Sequence, residues 1–353
     1  MRSFIHLSRL PHLSSRVLTR SCLPISAARL PVLRFHSFTT STFKMTDRTF
    51  KLNTGADIPA LGLGTWQSAP GEVATAVEHA VTTGYKLVDG AYCYGNEDEV
   101  GQGLKAAFDK GIKREDVFVV SKVWASYNTR VEEGLDKSLK SLGLDYVDLF
   151  LVHWPLLLNP NGNDDRFPKL PDGSRDIIRD YSHLETWKQM EAVYKTGKTK
   201  AVGVSNYSKK YLEELLPVCT VVPAVNQIEN HPALPQQEIV DLCRERGIHI
   251  MAYSPFGSTG GPLFTAEPVV KVADKHSVKP AAVLLSYNLS RGSTVLAKSV
   301  TPARIDANKA VIDLDAEDVK TLDDYSAQLT KEGKLQRFVY PPFGINFGFP
   351  DKQ

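Results

Sequence analysis

The sequence predicts an α/β fold in which eight strand–helix units close into one (β/α)8 barrel, a TIM barrel. Apolar, strand-like runs alternate with helix-like stretches about eight times after Phe50. These runs are too continuously apolar for a sheet with one wet face, which is typical of parallel strands covered on both sides. The length of chain after Met45 suits a single barrel with inserted loops.

The predicted elements follow one another in a regular order. A hairpin around Thr54-Gly55 and then an apolar strand occupy 50–64. The later strands are predicted at 85–89, 117–122, 147–153, 201–206, 224–227, 248–253 and 293–297. Helices are predicted from Gly71, along a face with Val100, Leu104 and Phe108, over 131–142, 182–196, 211–216, 235–246 and 265–290, and near 315–327. Long irregular loops are predicted at 155–180, 254–262 and 335–344.

The rival fold is a doubly wound dinucleotide-binding domain, which needs a glycine-rich turn between a strand and a helix. One G-x-G-x-x-A pattern exists, at Gly101, Gly103 and Ala106. It lies within an amphipathic helical stretch and does not follow a strand, so it does not support that fold. The barrel is the better prediction.

Composition narrows the classes of function. The chain is 42% hydrophobic and 23% charged, as expected of a soluble globular protein, and no apolar run reaches the roughly 20 residues of a membrane helix. The four cysteines form no C-x-x-C pair, so neither a disulfide framework nor a zinc site is predicted, and a reducing compartment fits.

The first 44 residues differ from the rest. They contain six arginines, one lysine, eight serines and no acidic residue. Residues 1–44 are therefore predicted to be a leader, either disordered or a mitochondrial targeting segment, and 45–353 one barrel domain. The alternative is an upstream stretch that is seldom translated, because Met45 also starts a sensible protein. Cytoplasm and mitochondrion both remain open. The net acidic remainder argues against nucleic-acid binding.

Polar residues are predicted where the barrel strands end, the place where such barrels gather their chemistry. They are Asp89 and the following Tyr94, Lys122, His153, Ser205, Asn206, Gln227 and Tyr253. Taken singly, each has an ordinary structural explanation, such as a helix cap or a solvated strand end. The convergence of an acid, a tyrosine, a lysine and a histidine on one barrel mouth indicates a catalytic site.

These four side chains suit one kind of reaction. A tyrosine with a pKa of about 10 is a poor acid at neutral pH, and a nearby ammonium lowers that pKa. A carboxylate holds the ammonium, and a neutral imidazole can orient a carbonyl oxygen. The group is equipped to protonate a carbonyl oxygen while a hydride arrives at carbon. No side chain supplies a hydride, so a nicotinamide cofactor is required.

From Phe50 to the end the sequence resembles the aldo-keto reductase family. The matching motifs are GLGTWQS (62–68), DGAYCYGNEDEVG (89–101), SKVW (121–124), LVHWP (151–155), VGVSNY (202–207), NQIENHP (226–232), YSPFGS (253–258) and AKSVTPARI (297–305). The resemblance implies that Tyr94 donates the proton, Lys122 lowers its pKa, Asp89 partners Lys122 and His153 positions the carbonyl. Within the family, the motifs are most similar to fungal aldehyde reductase and NADP-dependent glycerol dehydrogenase-type members.

The resemblance also implies the cofactor contacts. Ser205, Asn206 and Gln227 would hold the carboxamide, and Tyr253 would stack on the nicotinamide. Ser254 and Ser258 belong to the loop that would close over the pyrophosphate. Thr301 is a good helix N-cap and Pro302 a good first helical residue, and the cations beside them suit the 2′-phosphate of NADP. The contacts predicted there are Lys298, Ser299, Arg304 and Asn308.

Three positions depart from the family pattern. Gly90 replaces the usual Thr, Ala297 a common Pro, and Ala307 an acid that often contacts the adenine. We interpret Gly90 as a source of freedom in its loop, and Tyr92 and Cys93 as loop packing. Trp66, Trp124 and Trp154 are expected to form the walls of a pocket for small aldehydes and ketones.

Two other functions compete with a reductase that takes a small carbonyl substrate. A metal-dependent barrel enzyme could use Asp89, His153, Glu229 and His231, although Ser, Asn, Gln and Tyr stand where it would need further carboxylates. A non-catalytic protein that binds a nucleotide as a sensor is the second alternative. Such a protein has less need of all four catalytic residues, and this sequence has all four. We expect a monomer without metal or membrane attachment.

Overall fold

Eight parallel strands close into a barrel in the computed structural model, which describes residues 47–352. The strands are β1 (Leu61–Gly64), β2 (Leu87–Asp89), β3 (Phe118–Val123), β4 (Leu149–Val152), β5 (Val202–Ser205), β6 (Val225–Glu229), β7 (His249–Tyr253) and β8 (Thr294–Lys298). Each strand pairs with the next along the chain, and β8 pairs with β1 to close the ring. The predicted barrel is confirmed, with strand bounds close to those predicted.

Helices cover the outside of the strands. They are α1 (Val73–Thr82), α2 (Glu97–Asp109), α3 (Val131–Leu142), α4 (His183–Lys195), α5 (Lys209–Leu215), α6 (Gln237–Glu245), α7 (Glu267–Lys275), α8 (Pro280–Ser290), α9 (Pro302–Ala307) and α10 (Ala316–Lys331). The prediction of a single helical region over 265–290 is wrong. It divides because Ser277 adopts a left-handed backbone with φ +54° and Pro280 starts a new helix.

The predicted hairpin closes the N-terminal end of the barrel. Strands Thr49–Lys51 and Asp57–Pro59 pair antiparallel around Gly55. Leu52 and Ile58 are buried with Leu87, Phe118 and other residues that begin barrel strands. The hairpin thus seals one end of the core, and the strand ends that carry polar residues lie at the other.

The G-x-G-x-x-A pattern lies inside α2, as expected, and its glycines have a packing role. A Cβ on Gly101 would collide with the carbonyl oxygen of Leu142 at the end of α3. A Cβ on Gly103 would collide with the carbonyl oxygen of Ala74 in α1. The two glycines therefore allow three neighbouring helices to approach closely.

The long segment 155–180 follows β4 and is more ordered than predicted. Leu157–Leu158 and Ile177–Ile178 pair antiparallel at its base. Its middle is tied to the loop after β3, where Ser126 Oγ donates to the Asp165 carbonyl oxygen at 2.5 Å. Tyr127 also donates through its hydroxyl to the Asp165 carboxylate at 2.9 Å.

The C-terminal tail is tied to the same end of the barrel. The backbone N–H groups of Phe338 and Val339 donate to the Glu229 carboxylate at 2.8 and 2.9 Å. Arg337 forms a buried ion pair with Asp351 at 2.8 Å. The tail is therefore bound to the end of β6, beside the polar residues.

The leader predicted over 1–44 lies outside the described residues. Between residues 47 and 352, no helix is both long and apolar enough to cross a membrane. The cysteines in the described region are free thiols, namely Cys93, Cys219 and Cys243. This agrees with the sequence, which predicts no disulfide framework.

Candidate active site

A buried ion pair joins the ends of two adjacent strands. Nζ of Lys122, near the end of β3, lies 2.8 Å from both carboxylate oxygens of Asp89 at the end of β2. The side chains are 0% and 4% exposed. The ammonium also donates to the Gly90 carbonyl oxygen at 2.8 Å, and Gln227 Nε2 donates to Asp89 Oδ1 at 2.8 Å. Both charges are therefore paired and hydrogen-bonded, as burial requires.

The loop after β2 brings Tyr94 to this ion pair. A single 3₁₀ turn covers Tyr92–Tyr94, and Gly95 ends it in the left-handed region with φ +70°. The loop is attached to the end of β1, because Thr65 Oγ1 donates to the Asp89 carbonyl oxygen and Asn96 Nδ2 donates to the Thr65 carbonyl oxygen, both at 2.9 Å. The result is a contact of 3.2 Å between Lys122 Nζ and the Tyr94 hydroxyl.

The electrostatics of Tyr94 differ from the prediction. Burial of the hydroxyl and the negative charge of Asp89 raise the pKa of Tyr94 well above its ordinary value. The lowering by Lys122 that the resemblance implies does not outweigh these two effects here, because the ammonium is paired with the Asp89 carboxylate at 2.8 Å. Tyr94 therefore keeps its proton at neutral pH and offers it as a hydrogen-bond donor.

His153 lies directly after β4, beside Tyr94. Its ring centroid is 5.7 Å from that of Tyr94 and 5.2 Å from that of Trp124. Burial, helped by the positive charge of Lys122, lowers the pKa of His153 well below its usual range. The imidazole is therefore neutral at pH 7, as the predicted carbonyl-orienting role requires.

Cys93 contacts His153, so the interpretation of Cys93 as loop packing is incomplete. Its Sγ lies 3.5 Å from Nδ1 of His153. Burial raises the pKa of the Cys93 thiol, which therefore remains protonated. In the tautomer with the ring proton on Nε2, Nδ1 can accept from this thiol. No sequence motif indicates this contact, because the two residues are 60 positions apart.

The predicted nicotinamide contacts form one network behind these residues. Asn206 Nδ2 donates to the His153 carbonyl oxygen at 2.9 Å, and the Tyr253 hydroxyl donates to Asn206 Oδ1 at 2.7 Å. Ser205 Oγ donates to the Gln227 carbonyl oxygen at 2.9 Å. The ends of β5, β6 and β7 are thus linked to the ion pair through Gln227.

The predicted 2′-phosphate residues lie at the end of β8. Lys298 and Arg304 are close enough that the charge of Arg304 contributes to a lowered pKa of Lys298, after the larger effect of burial. Within residues 47–352 neither cation has a salt-bridge partner. Glu72 lies close enough to oppose the lowering of the Lys298 pKa, but it forms no salt bridge with either cation. Two neighbouring cations that form no salt bridge in the described part of the chain fit an anionic phosphate.

The other predicted phosphate contacts lie in the loop and helix that follow β8. Ser299 and Asn308 are largely buried, and Ser299 Oγ accepts from the Thr301 N–H at 3.1 Å. Helix α9 begins at Pro302, as predicted, but the predicted capping bond is absent from it. The Thr301 hydroxyl instead accepts from Arg304 at 2.8 Å.

The loop 254–262 crosses to the loop after β1. Thr259 Oγ1 donates to Gln67 Oε1 at 3.0 Å, and Lys298 Nζ donates to the Gln67 carbonyl oxygen at 3.1 Å. Four residues around this crossing have positive φ without being glycine: Gln67, Asn206, Ser254 and Ser258. Such strain costs about 1–3 kcal/mol per residue and is concentrated at ligand clamps. The geometry fits the predicted cofactor groove.

The three predicted tryptophans differ in exposure. Trp66 is 42% exposed, and its ring centroid is 4.8 Å from that of Tyr94. Trp124 is buried and donates through Nε1 to the Arg166 carbonyl oxygen. Trp154 is also buried and packs on Phe343 and Phe347 of the tail. The sequence did not indicate these two phenylalanines, since their contacts depend on where the tail folds back.

Glu97 is a buried acid near the ion pair, and no motif in the sequence indicates its burial. It begins α2, and its Oε1 accepts from Ser121 Oγ at 2.5 Å. Burial raises the pKa of Glu97 to about 7, against the opposing effects of Ser121, Ser138 and Lys122. The folded protein therefore binds this proton more tightly than the unfolded chain does.

The free energy of unfolding is expected to fall as pH rises, because Glu97 loses its proton. Glu97→Gln is expected to lack this fall. The pKa is about 4.5 in the unfolded chain and about 7 in the fold. The stabilising contribution is complete below the lower value and disappears as pH rises through the upper one, a change of about 3 kcal/mol. Urea unfolding between pH 5 and 8 measures it. Asp98→Asn, an exposed neighbour, is the control, and parallel pH curves for Glu97→Gln and the unsubstituted protein would contradict the assignment.

Gly90 is held firmly, so the interpretation of this residue as a source of loop freedom is wrong. Its N–H donates to the Val120 carbonyl oxygen at 2.9 Å, and its carbonyl accepts from Lys122. Its φ is not positive, and a Cβ would meet Val120 O at 3.4 Å and Thr65 Oγ1 at 4.0 Å, which are ordinary contacts.

Gly90→Ala is expected to fold with its free energy of unfolding unchanged or raised by up to about 1 kcal/mol, because alanine restricts the unfolded chain. Chemical denaturation measures this. Gly95→Ala is the contrasting variant, since its φ is +70° and a Cβ would collide with Arg166. A fall of more than about 2 kcal/mol in the free energy of unfolding of Gly90→Ala would show that a Cβ does not fit at this position.

Comparisons with known proteins agree with this geometry. Residues 60–327 match the model of the Aldo/keto reductase family. A D-galacturonate reductase of Hypocrea jecorina is 71% identical over 308 residues, covering 87% of this chain and all of that one. A glycerol 2-dehydrogenase (NADP(+)) of Saccharomyces cerevisiae is 44% identical over 315 residues, covering 86% and 99% of the two chains.

Comparison with a solved structure also supports membership of this family. An aldo-keto reductase complexed with NADPH superposes with a TM-score of 0.73 at 35% identity, covering 84% of this chain and 90% of that one. The match spans the barrel that carries the buried ion pair. The chain therefore belongs to the aldo/keto reductase family, as its motifs predict, and is an NADP-dependent enzyme of carbonyl reduction.

Proposed function

We propose that the enzyme reduces the aldehyde group of small sugar-type substrates, above all hexuronates such as D-galacturonate, to an alcohol. The observation that carries the catalytic part is the Tyr94 hydroxyl, held 3.2 Å from a buried ammonium with a neutral imidazole beside it. The support for the substrate is the 71% identity to a D-galacturonate reductase over that protein's whole length. Glyceraldehyde and other short aldehydes are the further candidates.

In this proposal Tyr94 is the acid of the reaction. NADPH, when bound, supplies a hydride to the carbonyl carbon. The Tyr94 hydroxyl gives its proton to the carbonyl oxygen, so that a C–H and an O–H bond form as the C=O double bond becomes single. Lys122 donates to the phenolate oxygen that results, which stabilises its charge. His153, with a proton on Nε2, donates to the same carbonyl oxygen and orients it.

The cofactor contacts follow the two ends of the groove. Ser205, Asn206, Gln227 and Tyr253 would hold and stack against the nicotinamide, and Ser254 and Ser258 would line the pyrophosphate. Lys298, Ser299, Arg304 and Asn308 would hold the phosphate end. Trp66, Trp124 and Trp154 would wall the substrate pocket, with the exposed face of Trp66 nearest to the open side.

The rival functions have less support. The metal-dependent alternative needs Glu229 and His231 as ligands, but His231 Nε2 contacts Glu229 at 2.9 Å and Glu229 also holds the tail. A non-catalytic sensor would not need Tyr94 to be aimed at a buried ammonium. Activity that requires NADPH and survives EDTA would separate a reductase from a metal enzyme.

Tyr94→Phe is expected to lower kcat for aldehyde reduction by about 10²–10⁴-fold, the usual contribution of a positioned acid. NADPH consumption with glyceraldehyde and D-galacturonate measures it, and NADH is tested alongside. Binding of NADPH, followed by protein fluorescence, is expected to persist. Tyr92→Phe removes a hydroxyl from the same turn and serves as the matched control. Unchanged kcat in Tyr94→Phe would refute the proposed role.

We further propose that 1–44 is a leader and 45–353 a single, monomeric barrel domain. The acid-free composition of 1–44 supports a leader, and cytoplasm and mitochondrion are its two candidate destinations. N-terminal sequencing of the native protein is expected to begin at or after residue 45. A start at Met1 in the mature protein would contradict removal of the segment.

A further inference from the structure

Arg166 lies at the barrel mouth, next to the residue that follows the catalytic tyrosine. Its carbonyl oxygen accepts from Trp124 Nε1, and its N–H donates to Asp164 Oδ1 at 2.8 Å, so its backbone is held at both sides. Its guanidinium packs against Gly95, where a Cβ would collide with Nη1. The positive charge reaches Cys93, where it opposes the rise in the thiol pKa.

This guanidinium has no partner among residues 47–352, neither a hydrogen-bond acceptor nor a carboxylate within salt-bridge distance. The other arginines of the neighbouring loops are engaged. Arg175 donates to the Phe167 carbonyl oxygen at 3.3 Å, Arg179 donates to the Gly344 carbonyl oxygen at 3.4 Å, and Arg337 pairs with Asp351.

The acids nearest in sequence form no salt bridge with this guanidinium, although its charge adds to the lowering of the Asp164 pKa by backbone N–H groups. Asp164 Oδ1 accepts the backbone N–H groups of Arg166 and Phe167, at 2.8 and 2.6 Å. The Asp165 carboxylate accepts from the Tyr127 hydroxyl at 2.9 Å and lies 3.4 Å from Lys137. The guanidinium of Arg166 is therefore an exposed cation with five N–H donors, next to Gly95, that can bind an anion from solution.

We propose that Arg166 is the subsite for the carboxylate of an acidic aldehyde substrate. The inference rests on the proposed function and names its selectivity: the aldehyde lies at Tyr94 and His153, and the carboxylate of the same molecule lies at Arg166. A guanidinium binds a carboxylate through two parallel N–H···O bonds, which gives orientation as well as affinity. Because this contact is remote from the reacting carbon, it acts mainly on substrate binding.

The test compares two sugars that differ only at the far carbon. D-Galacturonate carries a carboxylate there and D-galactose a hydroxymethyl group, and the full chain with NADPH is assayed on both and on glyceraldehyde. For Arg166→Met, the ratio of kcat/KM for D-galacturonate to that for D-galactose is expected to fall about 10- to 100-fold, as loss of a charge-assisted hydrogen bond implies. Most of the change is expected in KM for D-galacturonate. Arg166→Lys is expected to keep part of the preference.

Arg179→Met is the matched control, because it removes the same charge from the same segment. It is expected to leave the ratio within about twofold. Equal falls in Arg166→Met and Arg179→Met would mean that the general charge of the segment matters, which overturns the subsite. An unchanged ratio in Arg166→Met, or equal losses on both sugars, also overturns it.

The proposed function and the subsite fail differently. An unsubstituted enzyme that reduces glyceraldehyde but not D-galacturonate would retain the reductase function, and it would overturn both the preference for hexuronates and the subsite. An enzyme that reduces none of these aldehydes with NADPH would overturn the proposed function, and the subsite with it. Thermal unfolding of each variant shows whether a loss of activity is a loss of fold.

Discussion

The ion pair between Lys122 and Asp89 is the constraint on which the barrel mouth depends. Two charges withdrawn from water cost several kcal/mol each unless every donor and acceptor is satisfied. The ammonium meets both Asp89 oxygens, the Gly90 carbonyl oxygen and the Tyr94 hydroxyl. These acceptors come from the end of β2 and its loop, so the pair also determines where Tyr94 lies.

Burial and the charges of this pair together keep Tyr94 and His153 neutral. Burial, and after it the negative charge of Asp89, raises the pKa of Tyr94. At His153 burial and the positive charge act in the same direction and keep the imidazole unprotonated. Both side chains can therefore face a carbonyl oxygen as hydrogen-bond donors without a net charge. The proton of Tyr94 is given up only when negative charge develops on its acceptor, which is the condition of general acid catalysis.

Substrate selectivity depends on a different set of contacts. The segment 155–180 and the tail bring Arg166 and Phe343 over the strand ends, and both are attached by side-chain-to-backbone hydrogen bonds. In the proposal, the barrel beneath them serves many carbonyl compounds, and the guanidinium at the rim favours an acidic one. Chemistry and choice of substrate are thus supplied by separate parts of one chain.

The sequence by itself determined the barrel and the family, and it indicated the four residues to which the proposal assigns catalysis. Continuously apolar strands at a regular spacing specify a covered parallel sheet, and parallel strands deliver their final residues to one edge. The tertiary structure alone decided the direction of the Tyr94 pKa shift, the contact between Cys93 and His153, the hydrogen bonds that hold Gly90, and the lack of a partner for the Arg166 side chain among residues 47–352. Each depends on burial or on atoms far apart in the chain, as with the 60 positions between Cys93 and His153. Local patterns carry no record of such distances, because they arise only when the strands and loops meet.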